Sequence, residues 1–394
     1  MLVNASAKQL RIITYVAVFF LTLTASLTSY INSSYLATLV PENKVGLIYS
    51  LGSIITILLT LLVPKILCRL GIKLSTVIIS SLSIGGLLLI VWQSPLVLFS
   101  ILGFISYYAL TQVARYNTDL YLETISDNKD TGGIRGIFMT VINIAWLASP
   151  IIASTILGPT ERFYLLYFIS AILMVPFMII IGKVLPERTV CDPTSTFRDL
   201  LARLRKLNTA KDRALRKILT TDFLLNFFYA IMVIYLPLLL HEQIGFSWTE
   251  IGLIFTIMLI PFVVIEYPLG KIADKWLGER ELLATGFMIA GVATILISTL
   301  QAKDIWLWAG LLFLTRVGAA TIEIMKETAL FKRIDGHDAP ILSLSRNLSP
   351  LAYIAAPAFA LIFLNTDNYQ TIFLALGIVT LLGLYPSLTL KDTK

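Results

Sequence analysis

Long apolar runs, each closed by a few polar or charged residues, set the pattern of this chain. A membrane-crossing helix needs about 20 mostly apolar residues. Twelve stretches qualify, at roughly 11–38, 45–63, 74–92, 96–122, 132–157, 163–184, 217–240, 249–270, 281–300, 305–332, 339–364 and 369–388. The connections are short except Leu185 to Arg216, which is rich in Arg, Lys, Asp and Thr. This divides the chain into a six-span half at 1–184, a basic central loop at 185–216 and a second six-span half at 217–394. Within the loop, Phe197 to Leu207 alternates leucines with Arg198, Arg203, Arg205 and Lys206, as in a helix lying on a membrane surface. The predicted fold class is an all-α membrane protein with twelve transmembrane helices in two pseudo-symmetric halves.

Composition agrees. The 394 residues are 57% hydrophobic and 14% charged, against about 25% charged in soluble domains. The first apolar run lacks a small-residue cleavage site and is expected to remain as an uncleaved span. The net charge of +7 is a matter of orientation and not of nucleic-acid binding. With the N-terminus inside, only Lys44, Arg162 and Lys303 of the 31 Lys and Arg fall on the far side, and Arg115, Arg316, Lys326 and Arg346 fall within spans. Lys and Arg gather on the cytoplasmic side of membrane proteins, so both termini are expected there. Cys68 and Cys191 then face a reducing compartment, where no disulfide is expected. Neither these cysteines nor His241 and His337 have metal-ligand spacing.

The two halves match at an offset of about 204 to 207 residues. Thr111-Gln112-Val113-Ala114 aligns with Thr315-Arg316-Val317-Gly318, Asp119, Glu123 and Thr124 with Glu323, Glu327 and Thr328, and Pro150 with Pro357. Several matches in register indicate a six-span unit used twice. Between spans eight and nine lies Gly270-Lys271-Ile272-Ala273-Asp274-Lys275-Trp276-Leu277-Gly278-Glu279-Arg280, preceded by Glu266-Tyr267-Pro268-Leu269. This run resembles the glycine-x-x-x-aspartate-basic-x-glycine-x-basic loop of the major facilitator superfamily of transporters. It has one extra residue between Lys275 and Gly278, and Glu279 stands where a basic residue is usual. The first-half counterpart, Pro64 to Lys73, has Cys68 in place of Asp274. Span five, Ala145 to Ser154, faintly resembles the glycine-proline pattern of proton-exchanging members. It reads more readily as a proline kink with close packing.

The resemblance implies that spans 1, 4, 7 and 10 line a central cavity, and those spans carry polar stripes. Span 1 has Thr22, Ser26, Ser29 and Ser33 on one face, with Asn32 beside them. Span 4 has Tyr108, Gln112, Arg115 and Asp119, span 7 has Asp222, Asn226 and Tyr229, and span 10 has Arg316, Glu323 and Glu327. The expected cavity residues are Ser26, Ser29, Asn32, Tyr108, Gln112, Arg115, Asn226, Tyr229 and Arg316. Glu323, Asp119 and Asp222 are the expected proton-coupling acids. Gly270, Asp274, Gly278 and Arg280 form the gate that the resemblance implies. Each charge also has a structural reading. Arg115 can neutralise Asp119, Lys326 can neutralise Glu323, and Arg346 can pair with Glu323 or Glu327. Arg316 sits near mid-span, where an arginine costs at least ~2.5 kcal/mol by insertion scales.

No glycine-rich Lys-Ser/Thr loop is present, so ATP is not expected to drive the protein directly. The expected function is secondary active transport of a small organic solute by alternating access, coupled to protons. The expected partners are a small-molecule substrate and the lipid bilayer, with no nucleic acid, cofactor or metal, and with the chain a monomer in the cell (plasma) membrane. A non-transporting receptor or scaffold on the same fold is one alternative. A lipid-modifying membrane enzyme is another, although no paired His/Asp or Ser/His set supports it.

Overall fold

The computed structural model describes residues 7–125, 131–187, 210–265, 268–269, 278–333, 339–364 and 369–390. Among them the regular elements are all helical. The chain separates into two compact units, Met1–Thr194 and Ser195–Lys394. The surface helix expected at Phe197 to Leu207 lies outside the described residues.

The first unit opens with α1 (Ala7–Ser29) and the short α2 (Asn32–Ala37). A single span was expected over 11–38, yet the helix breaks at Tyr30 and Ile31 without glycine or proline. The hydroxyls of Thr24, Thr28 and Ser29 bond the carbonyls of Phe20, Ala25 and Ala25 on their own helix. Such side-chain bonds compete with the backbone ladder and weaken it locally. Next comes α3 (Glu42–Val91), 50 residues long. At 1.5 Å per residue it would measure about 75 Å if straight, too long for one crossing of a ~30 Å hydrocarbon core. It is two spans joined at Gly71, whose φ of 74° and ψ of 170° are non-helical. The unit continues with α4 (Val97–Thr124), α5 (Thr131–Leu157) and α6 (Phe163–Ile179), which ends in a π turn over Ile180–Val184.

The second unit contains α7 (Ala210–Leu238) with a π turn over Leu239–Gln243, α8 (Trp248–Val264), α9 (Glu279–Ile297), α10 (Ile305–Phe331), α11 (Ala339–Leu364), α12 (Tyr369–Leu381) and the short α13 (Leu384–Leu388). Ten of the described helices are long and apolar enough to cross a membrane. Counting α3 twice and adding the shorter apolar α8 gives the twelve expected spans.

The internal repeat is visible in the packing. In the first unit α1 packs on α5, α3 on α4 and α3 on α6. In the second, α7 packs on α11, α9 on α10 and α9 on α12. The α3–α4 and α9–α10 crossings are both so close that glycine is required. A Cβ on Gly103 would stand 2.7 Å from the Gly86 carbonyl oxygen, and one on Gly318 would stand 2.6 Å from that of Gly286. Large apolar side chains such as Leu58, Leu82, Val264, Ile362 and Leu382 are more than half exposed. An outer surface of this kind is satisfied by lipid and not by water.

Candidate functional site

In the polar stripes of α1, α2 and α4, Ser26, Asn32 and Tyr108 bond to other helices. Tyr107 of α4 shares a hydrogen bond with Thr28 at 2.9 Å and donates to the Thr24 carbonyl at 3.0 Å. Ser26 donates to the Ala145 carbonyl of α5 at 3.4 Å. Ser29 turns back to Ala25 of its own helix. Asn32 is buried, and its Oδ1 accepts from Tyr167 of α6 at 2.8 Å. Tyr108 lies against Gly52 and shares a hydrogen bond with Ser53 at 3.3 Å. Its ring stacks on Phe104 and meets Tyr49 edge-on. Gln112, Arg115 and Asp119 are half-buried on the same helix. In a medium without water such side-chain bonds join helices, so Ser26, Asn32 and Tyr108 of the expected cavity stripe help hold this unit together.

The second unit differs. On α7, Asp222, Asn226 and Tyr229 fall on one face. Both oxygens of Asp222 are occupied. Oδ1 accepts from Asn226 Nδ2 at 2.9 Å and from the Lys326 ammonium of α10, and Oδ2 accepts from Ser345 of α11 at 2.6 Å. One carboxylate thus ties three helices. Lys326 is bonded to Asp222 and not to Glu323, three residues before it. Glu323 instead accepts the Tyr229 hydroxyl at 2.7 Å.

Arg316 lies two turns earlier on α10 and is 1% exposed. Its Nε, Nη1 and Nη2 have no hydrogen-bond partner among the described residues. The guanidinium carbon sits 5.2 Å from the Phe228 ring centroid and 5.5 Å from that of Tyr229. Each cation–π contact contributes about 0.5–2 kcal/mol. Each unsatisfied buried donor costs about 1–3 kcal/mol, more for a charged group, so the rings do not offset the cost of leaving three nitrogens unbonded. Of the buried candidate residues among those described, Arg316 alone has side-chain atoms with no hydrogen-bond partner. Seven residues separate Arg316 from Glu323, about 10 Å along the helix axis.

A model of the Major Facilitator Superfamily matches residues 14–325 and 237–393. The chain belongs to that superfamily. It is a multi-pass membrane transporter. Solved structures agree on the fold. The human organic anion transporter MFSD10 (TETRAN) is 15% identical with a TM-score of 0.70, covering 98% of this chain and 100% of that one. A peptide transporter (POT) crystallised with sulfate is 12% identical with a TM-score of 0.76, covering 98% and 94%. A POT family transporter bound to a thioalcohol-conjugated peptide is 13% identical with a TM-score of 0.75, covering 95% and 94%. No curated protein sequence matches the chain.

In the superfamily loop, Gly270 and Asp274 lie outside the described residues. Gly278 is the N-cap of α9, without a side-chain cap bond. Arg280 forms a 3.2 Å ion pair with Glu281, and both side chains are more than 40% exposed. The buried charge here is Glu279, 2% exposed, which accepts from Lys332 at 2.8 Å and faces Arg333 at 4.0 Å. In the sequence, Glu279 stands out only as a departure from the motif and lies outside the expected gate. Its acid at the first turn of α9 was the available signal, since a carboxylate there meets the positive helix end.

Cys68 corrects a further expectation. It is disulfide-bonded, and no free cysteine occurs among the described residues. Cys191, the only other cysteine in the chain, lies outside them.

Proposed function

We propose that this transporter is a secondary active carrier that moves a small organic solute by alternating access, with uphill movement coupled to protons. The proposal includes a cell-membrane location with both termini cytoplasmic, which rests on the lysine and arginine asymmetry. The observation that carries the coupling is the setting of Glu323. Its carboxylate accepts a tyrosine hydroxyl from another helix, while the nearby Lys326 is bonded to Asp222. Asp222, saturated by three donors, is the better anchor, and Glu323 is the better proton carrier. Asp119 stands one turn from Arg115 and is assigned to holding the first unit. Tyr229 joins the two elements of the site, because its hydroxyl meets Glu323 and its ring lies beneath Arg316. A proton arriving at Glu323 therefore changes the contacts of a residue that also touches the solute-facing cation.

The test uses purified protein in liposomes with an imposed pH gradient. Wild type is expected to accumulate solute against its gradient. Glu323→Gln is expected to lose accumulation and to retain exchange of labelled for unlabelled solute. Wild-type accumulation by Glu323→Gln removes the coupling assignment. Dependence on another ion, with no response to pH, removes the proton.

A further inference from the structure

We infer that Arg316 anchors a single anionic group, a carboxylate or sulfonate, carried on an apolar organic body. The inference deepens the transporter reading by giving that solute a chemical class. The binding site itself stands on the geometry of the second unit.

The guanidinium is planar, with five N–H donors around its edge and two faces that stack on aromatic rings. Here Phe228 and Tyr229 lie within stacking range of the guanidinium carbon. These ring contacts supply no hydrogen bond, and all three guanidinium nitrogens are unbonded among the described residues. A free guanidinium edge matches a carboxylate, which it binds through two parallel hydrogen bonds. Among the described residues, two acids of the candidate site are engaged elsewhere. Asp222 takes Lys326, Asn226 and Ser345, and Glu323 takes Tyr229. The charge is therefore held in place by aromatic walls with its hydrogen-bonding edge unfilled.

The walls also define what the anion is attached to. Tyr229 and Phe262 are half-buried, with ring centroids 6.3 Å apart, whereas Phe228 is fully buried. A small inorganic anion would meet the edge and leave these surfaces without contact. An anion on an apolar or aromatic body meets both. A cationic solute is disfavoured by direct repulsion from Arg316.

The test is equilibrium binding of labelled benzoate to the full chain purified in detergent. Benzenesulfonate, benzamide, chloride and sulfate serve as competitors. Benzoate and benzenesulfonate are expected to bind. Benzamide, of the same shape without the charge, is expected to bind about tenfold or more weakly, as is benzoate to Arg316→Gln. Arg316→Lys keeps the charge, loses the planar fork and is expected to fall between them. Where Arg316→Gln does not fold, the benzoate–benzamide comparison on wild type decides the matter.

Equal competition by benzamide overturns the inference. So does undiminished benzoate binding to folded Arg316→Gln, or the absence of benzoate and benzenesulfonate binding to wild type. Displacement of benzoate by chloride or sulfate at equal concentration overturns the organic part and leaves an inorganic-anion site. Liposome flux reports separately. Arg316-dependent binding without flux sinks the transporter reading and keeps the site, whereas flux of neutral solutes indifferent to Arg316→Gln does the reverse.

Discussion

The Glu187 carboxylate accepts the backbone N–H of Lys73 at 2.9 Å. It thereby caps the second span of α3 where that span restarts after Gly71. The segment bearing Glu187 is held from a second side, since the Tyr121 hydroxyl donates to the Pro186 carbonyl at 3.3 Å. A short stretch after α6 thus fastens the break in α3 and the end of α4. A Cβ at position 71 would stand 2.3 Å from Glu187 Oε1, and φ there is +74°. Gly71→Ala therefore meets both a clash and a backbone penalty of about 1–3 kcal/mol. Glu187→Ala loses a cap worth about 0.5–2 kcal/mol. The two losses are expected to be less than additive, because removing Glu187 removes the clash. Thermal unfolding of the single and double variants measures this. Strict additivity means that the carboxylate and Gly71 do not meet.

At α9, Glu279 and Arg280 are adjacent in sequence and opposite in environment. Glu279→Gln uncouples a buried carboxylate from Lys332 and Arg333. Breaking a fully buried pair costs about 3–5 kcal/mol, and the loss here is expected to be smaller because the Lys332 side chain is 38% exposed. Arg280→Ala breaks an exposed pair worth about 0–1 kcal/mol. Unfolding midpoints should therefore fall clearly for Glu279→Gln and hardly at all for Arg280→Ala. The opposite order places the structural charge of this helix end at Arg280.

The spans and the helices carrying charge were legible in the sequence, because an apolar run of membrane length has few alternative explanations. Arg316 stood out for the same reason: a mid-span arginine needs a special environment. The partners were not legible. Sequence spacing favours Lys326 with Glu323 three residues away, but the fold brings Asp222 from a position 104 residues earlier. The break between α1 and α2 carries no glycine or proline, and only the density of hydroxyls signals it. The interval between residues 63 and 74 read as a loop. Helix instead continues to Gly71, with a single glycine absorbing the whole change of direction.

Cys68 supplies a third prediction. The bridge should make Cys68 of the unreduced, purified protein inert to maleimide and reactive after dithiothreitol. Labelling before reduction means that the bridge is absent in solution. Orientation is tested separately in a Cys68→Ser, Cys191→Ser background. New single cysteines at Lys44 or Lys303 should react with an impermeant reagent on intact cells, and protection of both inverts the proposed topology.

Tyr229 allows the two elements of the site to be separated. Its hydroxyl is bonded to Glu323, while its ring stands 5.5 Å from the Arg316 guanidinium carbon. Tyr229→Phe removes the first contact and keeps the second. A hydrogen bond to a charged group contributes about 1.5–3 kcal/mol, roughly a tenfold effect or more. That loss should appear in the step where Glu323 changes state and not in anion affinity. Tyr229→Phe is therefore expected to bind benzoate as wild type does while losing roughly tenfold in uphill, pH-driven uptake. Tyr229→Ala removes both contacts and should lose affinity as well. A Tyr229→Phe protein with weakened binding and intact coupling reverses the assignment, making the hydroxyl a solute contact and leaving Glu323 as a structural acceptor.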